Sequence, residues 1–244
     1  MTPRYLALLA LIPLTACIVV TGPEHEASAS IEIEDAITEI HFDQDAGDME
    51  ILVQEDQVGI SLTRTIHWRG GDAPETLDRV EGESLVLGLE CEQSWNCWVD
   101  YTLIVPPGLS VFGETHAGDL LIEGPVAEVN VTSGAGDIEL SCASGPVFIE
   151  TGAGDVVGTC INAVHLQVIS GAGDIQLVLS GAPDLAEIST GAGDVDLTLP
   201  AGNYNIQVET GAGDVEIQGV DQTQGTESVI IVNTGAGDVD IYGE

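Results

Sequence analysis

The fold of this chain is decided by a stretch that recurs along it, first complete as Val131-Thr132-Ser133-Gly134-Ala135-Gly136-Asp137-Ile138-Glu139-Leu140. Apolar and polar residues alternate on both sides of a Gly-Ala-Gly-Asp turn, which is the period of strands buried on one face. Complete copies of the turn end at Asp137, Asp155, Asp174, Asp194, Asp214 and Asp238, and imperfect copies end at Asp48 and Asp119. From Asp119 onward the copies follow one another at intervals of 18 to 24 residues.

Each copy is predicted to form a strand, a turn and a second strand, a unit too small to bury its apolar face alone. Stacking successive copies in parallel joins these faces into one core, which is the physics of a solenoid. The glycines allow positive φ angles, and the Asp side chain can accept backbone N–H groups. We therefore predict an all-β fold: a right-handed, single-stranded parallel β-helix, or β-solenoid, over residues 114–244.

The segment before the repeats divides into three parts. Residues 1–17 are predicted to be a lipoprotein signal peptide, because a short apolar stretch ends in Leu14-Thr15-Ala16-Cys17, which is similar to the lipobox of bacterial lipoproteins. Residues 18–30 lack a clear period and are predicted to be a linker. Residues 31–113 alternate like strands but interrupt the repeat, and are predicted to form an N-terminal β region that caps the solenoid.

Lipidation at Cys17 predicts an outer-membrane lipoprotein of the bacterial cell envelope, facing either the periplasm or the cell surface. Ile18 after the cysteine, rather than Asp, favours outer-membrane sorting in the lipoprotein pattern. The alternative is an ordinary signal peptide cleaved near Ala16, which would leave Cys17 as a free thiol.

The composition excludes nucleic acid as a partner. Four basic residues stand against 41 acidic ones, and the formal net charge is −37. Phosphate backbones would repel such a chain. Solubility is the simpler explanation of the charge, and a specific role in binding is the alternative.

The remaining cysteines suggest two disulfides in an exported protein. Cys142 and Cys160 each follow a repeat Asp by five residues, so stacked coils would bring them within disulfide range, on the inward side of the strand. Cys91 and Cys97 could close a hairpin between two strands. Buried free thiols are the alternative for each pair, and the spacings do not match a zinc site.

Stacked repeats would place carboxylates in a column at about 5 Å intervals. The candidate metal ligands are Asp119, Asp137, Asp155, Asp174, Asp194 and Asp214. Repulsion in such a column requires compensation, either by backbone hydrogen bonds or by a cation such as calcium. Apart from calcium, no cofactor is predicted.

The order of motifs resembles a known family. The run Asp100-Tyr101-Thr102-Leu103-Ile104-Val105-Pro106-Pro107-Gly108, followed by Gly118-Asp119 and the later Gly-Asp turns, is similar to a bacterial cell-envelope family of unknown function called "putative adhesins". The similarity covers residues 31 to 244. The resemblance implies a single-stranded, right-handed β-helix in a cell-envelope protein, and it does not imply a catalytic activity.

Catalysis is not predicted, because the five His residues are scattered and no nucleophile or metalloprotease motif is present. We predict a non-enzymatic, lipid-anchored adhesin or structural module that contacts an envelope protein, a glycan or another copy through the open end of the solenoid. The alternative is an envelope sensor or scaffold that binds a divalent cation or a cationic ligand. A polysaccharide-active enzyme is the least favoured alternative.

Overall fold

The computed structural model describes residues 23–91, 95–223 and 225–244, which form β-strands and no helix. The strands up to the first complete repeat are β1 (Glu24–Ile33), β2 (Glu39–Gln44), β3 (Met49–Val53), β4 (Ile60–Arg69), β5 (Glu75–Thr76), β6 (Arg79–Glu81), β7 (Ser84–Glu90), β8 (Trp95–Val105), β9 (Ser110–Thr115), β10 (Leu120–Val126) and β11 (Glu128–Ser133). The strands that follow are β12 (Ile138–Ala143), β13 (Val147–Thr151), β14 (Val156–Ile161), β15 (His165–Ser170), β16 (Ile175–Leu179), β17 (Leu185–Thr190), β18 (Val195–Leu199), β19 (Asn203–Thr210), β20 (Val215–Gln218), β21 (Asp221–Gln222), β22 (Val229–Thr234) and β23 (Val239–Gly243).

The strands form two large sheets, and from β7 to β20 successive strands alternate between them. Sheet A has the order β1-β4-β8-β3-β10-β12-β14-β16-β18-β23-β20, and sheet B has the order β21-β19-β22-β17-β15-β13-β11-β9-β2-β7-β5, with β6 also on β7. Only the pairs β1–β4, β4–β8, β5–β7 and β6–β7 are antiparallel among the described strands. A coil is a strand of sheet B, the following turn and the next strand of sheet A. The predicted all-β class with strands stacked in parallel is confirmed.

The core is built from the apolar positions that the repeat aligns. Val195 pairs with Val239 and Leu197 with Ile241, and all four side chains are completely buried between the sheets. Each coil adds the same few aliphatic contacts to its neighbours, so the hydrophobic effect is spread evenly along the stack.

The stacking order differs from the order of the sequence at the carboxyl end. The last coil, β22–β23, lies between β17–β18 and β19–β20, so the coil that comes earlier in the chain is outermost. The expectation that successive copies stack in turn is wrong here. Asp238 and Asp214 are consequently exchanged in the column.

The amino end shows the same kind of insertion. The coil β2–β3 lies between β7–β8 and β9–β10, and its residues join the stack of repeats. Beyond β8, strand β4 runs antiparallel to β8, and β1 runs antiparallel to β4, so β1 has the direction of the parallel strands. Strand β1 begins at Glu24, which corrects the predicted linker at 18–30. Ser28 and Ser30 contact the hydroxyls of Thr65 and Thr63 at 3.1 Å, so the small residues of this segment alternate as a strand.

Candidate functional site

The repeated turns form one continuous feature, the aspartate column. In each coil the backbone N–H of the column Asp donates to Oδ1 of the Asp in the neighbouring coil, over 2.7–2.9 Å. The order along the column is Asp100, Asp48, Asp119, Asp137, Asp155, Asp174, Asp194, Asp238 and Asp214. These charge-assisted bonds stabilise carboxylates that would otherwise repel one another.

The glycine before each Asp allows the coils to approach. Gly154 has φ of +152°, and a Cβ there would lie 2.1 Å from the carbonyl oxygen of Gly136. Gly118, Gly173 and Gly193 show the same collision with the neighbouring coil. The motif therefore requires glycine at this position for space as well as for conformation.

A row of buried polar side chains lies under the turns, four residues before each Asp. Thr190 donates to the carbonyl oxygen of Gly173 at 2.9 Å, and Thr234 donates to that of Gly193 at 3.1 Å. The row consists of Gln44, Thr115, Ser133, Thr151, Ser170, Thr190 and Thr234, each 2–5% exposed. We did not predict this row, although the constant spacing of Thr and Ser ahead of the turn was visible in the sequence.

The predicted metal ligands Asp119, Asp137, Asp155, Asp174, Asp194 and Asp214 all lie in the column. Within the described ranges, no three or more His, Cys, Asp or Glu side chains are grouped so as to hold a metal ion. Backbone hydrogen bonds are one of the two ways in which we expected the repulsion between the column carboxylates to be offset, and these bonds are present. Calcium binding stays a prediction.

The column begins at Asp100, which has no Gly-Ala-Gly before it and was not predicted. Its Oδ2 lies 3.2 Å from Nε2 of His67, while its Oδ1 accepts the N–H of Asp48. The His67 ring stacks on Trp98 with a centroid distance of 4.8 Å. Arg69 pairs with Glu24 at 2.6 Å beside it. The amino end of the column is thus covered by paired charges and an aromatic ring.

A buried polar network lies near this amino end. The Tyr101 hydroxyl donates to Asp78 at 2.7 Å, and Asp78 also pairs with Arg64. Burial, followed by the Asp78 carboxylate, raises the pKa of Tyr101 far above its usual value. The network links β4 and β8 to the segment before β6. It also provides the Arg64 side chain with a carboxylate partner, which explains how a charged residue is accommodated at this position of a β-strand.

The carboxyl end of the solenoid is open on sheet A, because none of the described strands pairs with the outer edge of β20; on sheet B the two-residue strand β21 pairs with β19. Val215 is 45% exposed, whereas Val239, its partner on the adjacent strand β23, is completely buried. Ile206, Val208 and Ile217 are only partly buried, although the corresponding positions of the inner coils belong to the core. The outermost coil therefore presents apolar side chains and the free edge of β20 to solvent.

Carboxylates cluster on the outer face of sheet A near this end. Asp240 lies between Asp196 and Glu216 on adjacent strands. Desolvation, and then the carboxylates of Asp196 and Glu216, raise the pKa of Asp240 above its usual 3.8. The Asp240 carboxylate, followed by desolvation and by Glu216 and Asp196, raises the pKa of Tyr242.

Both predicted disulfides are present. Cys91 is bonded to Cys97 with Cα atoms 6.4 Å apart, and Cys142 to Cys160 with Cα atoms 4.5 Å apart. The inward position predicted for the second pair is wrong. Cys142 and Cys160 have φ of 59° and 57°, and this left-handed bulge turns them outward while Ala143 and Ile161 enter the core. Cys17 lies outside the described residues.

A shallow hollow of about 440 Å³ lies on the outer face of sheet B. His41 stacks on Phe112 at 5.0 Å beside it, and Asn130 and Thr132 line its floor. The His41 side chain also bonds Glu39 at 3.0 Å, and this bond lowers the pKa of Glu39. The hollow is wide and open, as expected for a flat sheet face.

The sequence pattern of the Toastrack DUF4097 family matches residues 30–242. The chain belongs to the Toastrack DUF4097 family. No curated protein matches it. Among the described residues, no helix is long and apolar enough to span a membrane.

Several solved structures are similar to this Toastrack chain. A "putative adhesin" from Bacteroides fragilis is 14% identical, has a TM-score of 0.51, and the match covers 90% of this chain and 97% of that one. A "putative cell adhesion protein" from Clostridium sporogenes is 13% identical, has a TM-score of 0.41, and the match covers 91% and 100%. A "putative lipid binding protein" from Parabacteroides distasonis is 11% identical, has a TM-score of 0.40, and the match covers 91% and 98%. Of these three, only the Bacteroides structure has a TM-score above 0.5, and at 14% identity it supports the fold alone.

Proposed function

We propose that this Toastrack protein is a non-enzymatic interaction module of the bacterial cell envelope, anchored to the outer membrane by lipids on Cys17. It contacts a partner through the open carboxyl end, as an adhesin does. Its coils are single-stranded and wind in the right-handed sense that parallel crossovers favour. The observation that carries the proposal is the asymmetry of the two ends.

The two ends of sheet A differ in position and in character. Strand β1 is one edge and β20 is the other, separated by ten strand spacings or roughly 48 Å. Cys17 precedes Glu24 by seven residues, which span at most about 25 Å when fully extended. An anchor at Cys17 therefore holds the β1 edge near the membrane and leaves β20 on the far side.

Charge favours the same arrangement. A formal net charge of −37 repels the body of the protein from anionic head groups, so the rod stands away from the bilayer to which it is tethered. With the β1 end near the membrane, the open and apolar β20 end faces away from it. This arrangement suits a module that presents a binding surface.

The alternative function, a periplasm-facing sensor or scaffold for a cationic ligand, is favoured by the carboxylate cluster at Asp196, Asp240 and Glu216. Asp240 pairs with Asp196 and Glu216 on the adjacent strands, and no Lys or Arg follows Arg79 in the sequence to compensate these charges. A bound cation would relieve that repulsion.

Fractionation of cells that produce Cys17→Ser tests the anchor. The wild type and the matched control Cys142→Ser should remain with the outer membrane, whereas Cys17→Ser should be released. A Cys17→Ser variant that stays with the membrane contradicts the anchor.

The orientation of the rod is tested with an epitope inserted after Gly225, which lies in an open turn at the distal end. Antibody should bind this epitope on intact cells if the protein is a surface adhesin. Binding only after the outer membrane is permeabilised favours the periplasmic alternative.

A further inference from the structure

We propose that the open end binds an extended segment of another protein, added parallel to β20 as one more strand, with apolar residues facing the core and Lys or Arg facing outward. The inference rests on the proposed function in one respect, namely that this end is accessible. Three features of the outermost coil support it: an unused backbone ladder, an unused carboxylate and an exposed core.

The backbone ladder is interrupted at β20. The N–H of the residue after each column Asp donates to the Asp carbonyl of the neighbouring coil, as Val195 does to Asp238 and Val239 does to Asp214, both at 2.9 Å. No described coil lies beyond β20, so the Val215 N–H has no such acceptor among the described residues. A parallel strand laid against β20 would supply it.

The aspartate column is also incomplete at this end. Eight of its carboxylates accept an N–H from the adjoining coil. The carboxylate of Asp214 receives none within the described part of the chain. A strand that continues the stack would place a backbone N–H over Asp214 and a carbonyl over Val215, at the spacing of the other coils.

Exposed apolar side chains specify the inward side of the partner. Val215 is 45% exposed, and Ile217 is partly buried one strand period further on. Two aliphatic residues at alternate positions of an added strand would cover both. The requirement for alternation distinguishes a strand from a disordered apolar segment.

Charge specifies the outward side. Glu209, Asp214 and Glu216 belong to the outermost coil and Asp221 to the adjacent strand β21, and neither contains Lys or Arg. Basic residues opposite Glu216 would pair with it across the strands. The partner is therefore basic where it faces solvent.

A second copy of this chain does not fit that description. On sheet A its amino edge is β1, which is antiparallel to β4 and therefore runs in the direction of the parallel strands, but β1 carries Glu24, Glu26 and Glu32 and no Lys or Arg, so pairing it with β20 would add carboxylates to an acidic edge. Joining two carboxyl ends would bring Asp214 and Glu216 of each copy into the same acidic interface. Strand addition by a different, basic protein is the remaining solution.

Binding of a short peptide tests the proposal. The probe is a peptide Gly-Lys-Val-Lys-Ile-Lys with a fluorophore, added to the full chain in mild detergent, and its affinity is measured by fluorescence anisotropy. A peptide of the same composition with the lysines consecutive controls for nonspecific attraction. The alternating peptide should bind about tenfold more tightly than the consecutive one, because only it covers Val215 and Ile217 together.

Two variants distinguish strand addition from attraction by charge. Val215→Pro removes the outward N–H and blocks an added strand, and it should lower the affinity about tenfold. Val215→Ile keeps the N–H and a branched apolar side chain, and should bind like the wild type. Circular dichroism and thermal melting confirm that both variants are folded.

Two further readouts locate the peptide. Amide exchange of Val215 and Ile217 should slow when it binds. A nitroxide at its amino end should broaden the amide signal of Gly213 more than that of Gly219 if the strand is parallel. The proposal is overturned by absence of binding, by equal affinities of Val215→Pro and Val215→Ile, or by broadening at Gly219 instead. None of these results affects the anchor at Cys17, which the fractionation experiment tests separately.

Discussion

A single methyl group should separate the two reasons for glycine in the turn. Gly154→Ala places an alanine at a positive φ and puts its Cβ 2.1 Å from the Gly136 oxygen. Gly82→Ala places an alanine at a φ of 68°, with no other atom within 4 Å of its Cβ. We expect Gly82→Ala to lower the free energy of unfolding by about 1 kcal/mol and Gly154→Ala by about 3 kcal/mol. Chemical denaturation measures both. Equal losses would show that the coils do not approach so closely.

The aspartate column allows a test of whether each carboxylate acts as a hydrogen-bond acceptor. Asp155 accepts the N–H of Asp174 at 2.8 Å, whereas Asp214 accepts no column N–H among the described residues. Asp155→Ala should cost about 1 kcal/mol of unfolding free energy, and Asp214→Ala much less. Asp155→Asn keeps the acceptor and removes a charge, so it should be at least as stable as the wild type. An equal loss in both Ala variants would mean that the bonds do not stabilise the stack.

At the residue scale, the sequence predicted the members of the column but not its beginning. Asp100 was missed because no glycine turn precedes it, and its place is set by the pairing of Tyr101 with Met49 in a neighbouring strand. The buried Thr190 and its equivalents were missed for a different reason. Thr190 ends β17 at the same inward parity as Ala186 and Ile188, but a hydroxyl next to a glycine turn is typical of a solvent-exposed loop.

Strands β18, β23 and β20 provide a prediction about pH. The pKa of Asp240 is raised in the folded protein by partial desolvation and by Asp196 and Glu216. Ionisation therefore favours unfolding: the destabilisation is absent below the unfolded pKa of 3.8, grows as pH rises towards the folded pKa, and is complete above it. Asp240→Asn should raise the melting temperature at pH 7 and leave it unchanged at pH 3.

The exposed Asp56, far from this cluster, supplies the control for Asp240. Asp56→Asn removes the same charge from the whole chain and should change the melting temperature at pH 7 much less. A similar rise in both variants would attribute the effect to net charge, and not to the contacts across the three strands.

The Cys142–Cys160 bridge joins two strands at their bulges, and its removal should be measurable. A bridge across 18 residues is worth about 3 kcal/mol in the chain-entropy description. The double Ala variant should lose about this amount of unfolding free energy. The double Gly variant should lose less, because glycine has no penalty at the φ of 59° and 57° found here. A Gly variant less stable than the Ala variant would contradict this account.

The same bulges show why alternation alone misplaced these cysteines. Counting from Asp137 puts Cys142 on the inward side, and the equivalent Leu179 is indeed buried. One residue in the left-handed region shifts the period, so that Ala143 becomes the buried residue. Such a bulge has no fixed sequence signal, although the bridge between the same positions was predictable from the stacking.

For the whole molecule, the sequence predicted the architecture but not the order of the coils. Every coil presents nearly the same aliphatic pattern, so Val239 fits against Val195 as well as Val215 would. Side-chain periodicity cannot choose between such arrangements. The interval of 24 residues between Asp214 and Asp238 is the longest of those from Asp119 onward. These extra residues allow the last coil to lie between the outermost coil and the inner ones.

This order reverses the usual expectation about chain ends. Terminal segments commonly open first, because few contacts hold them. Here strands β22 and β23 lie between two coils, and their residues Ile230 and Val239 are completely buried, whereas the earlier strand β20 is an edge. Amide hydrogen exchange should therefore be slower in 229–243 than in 203–218, since opening the last coil requires the outer one to detach first. Faster exchange at the carboxyl terminus would instead indicate that the coils stack in the order of the sequence.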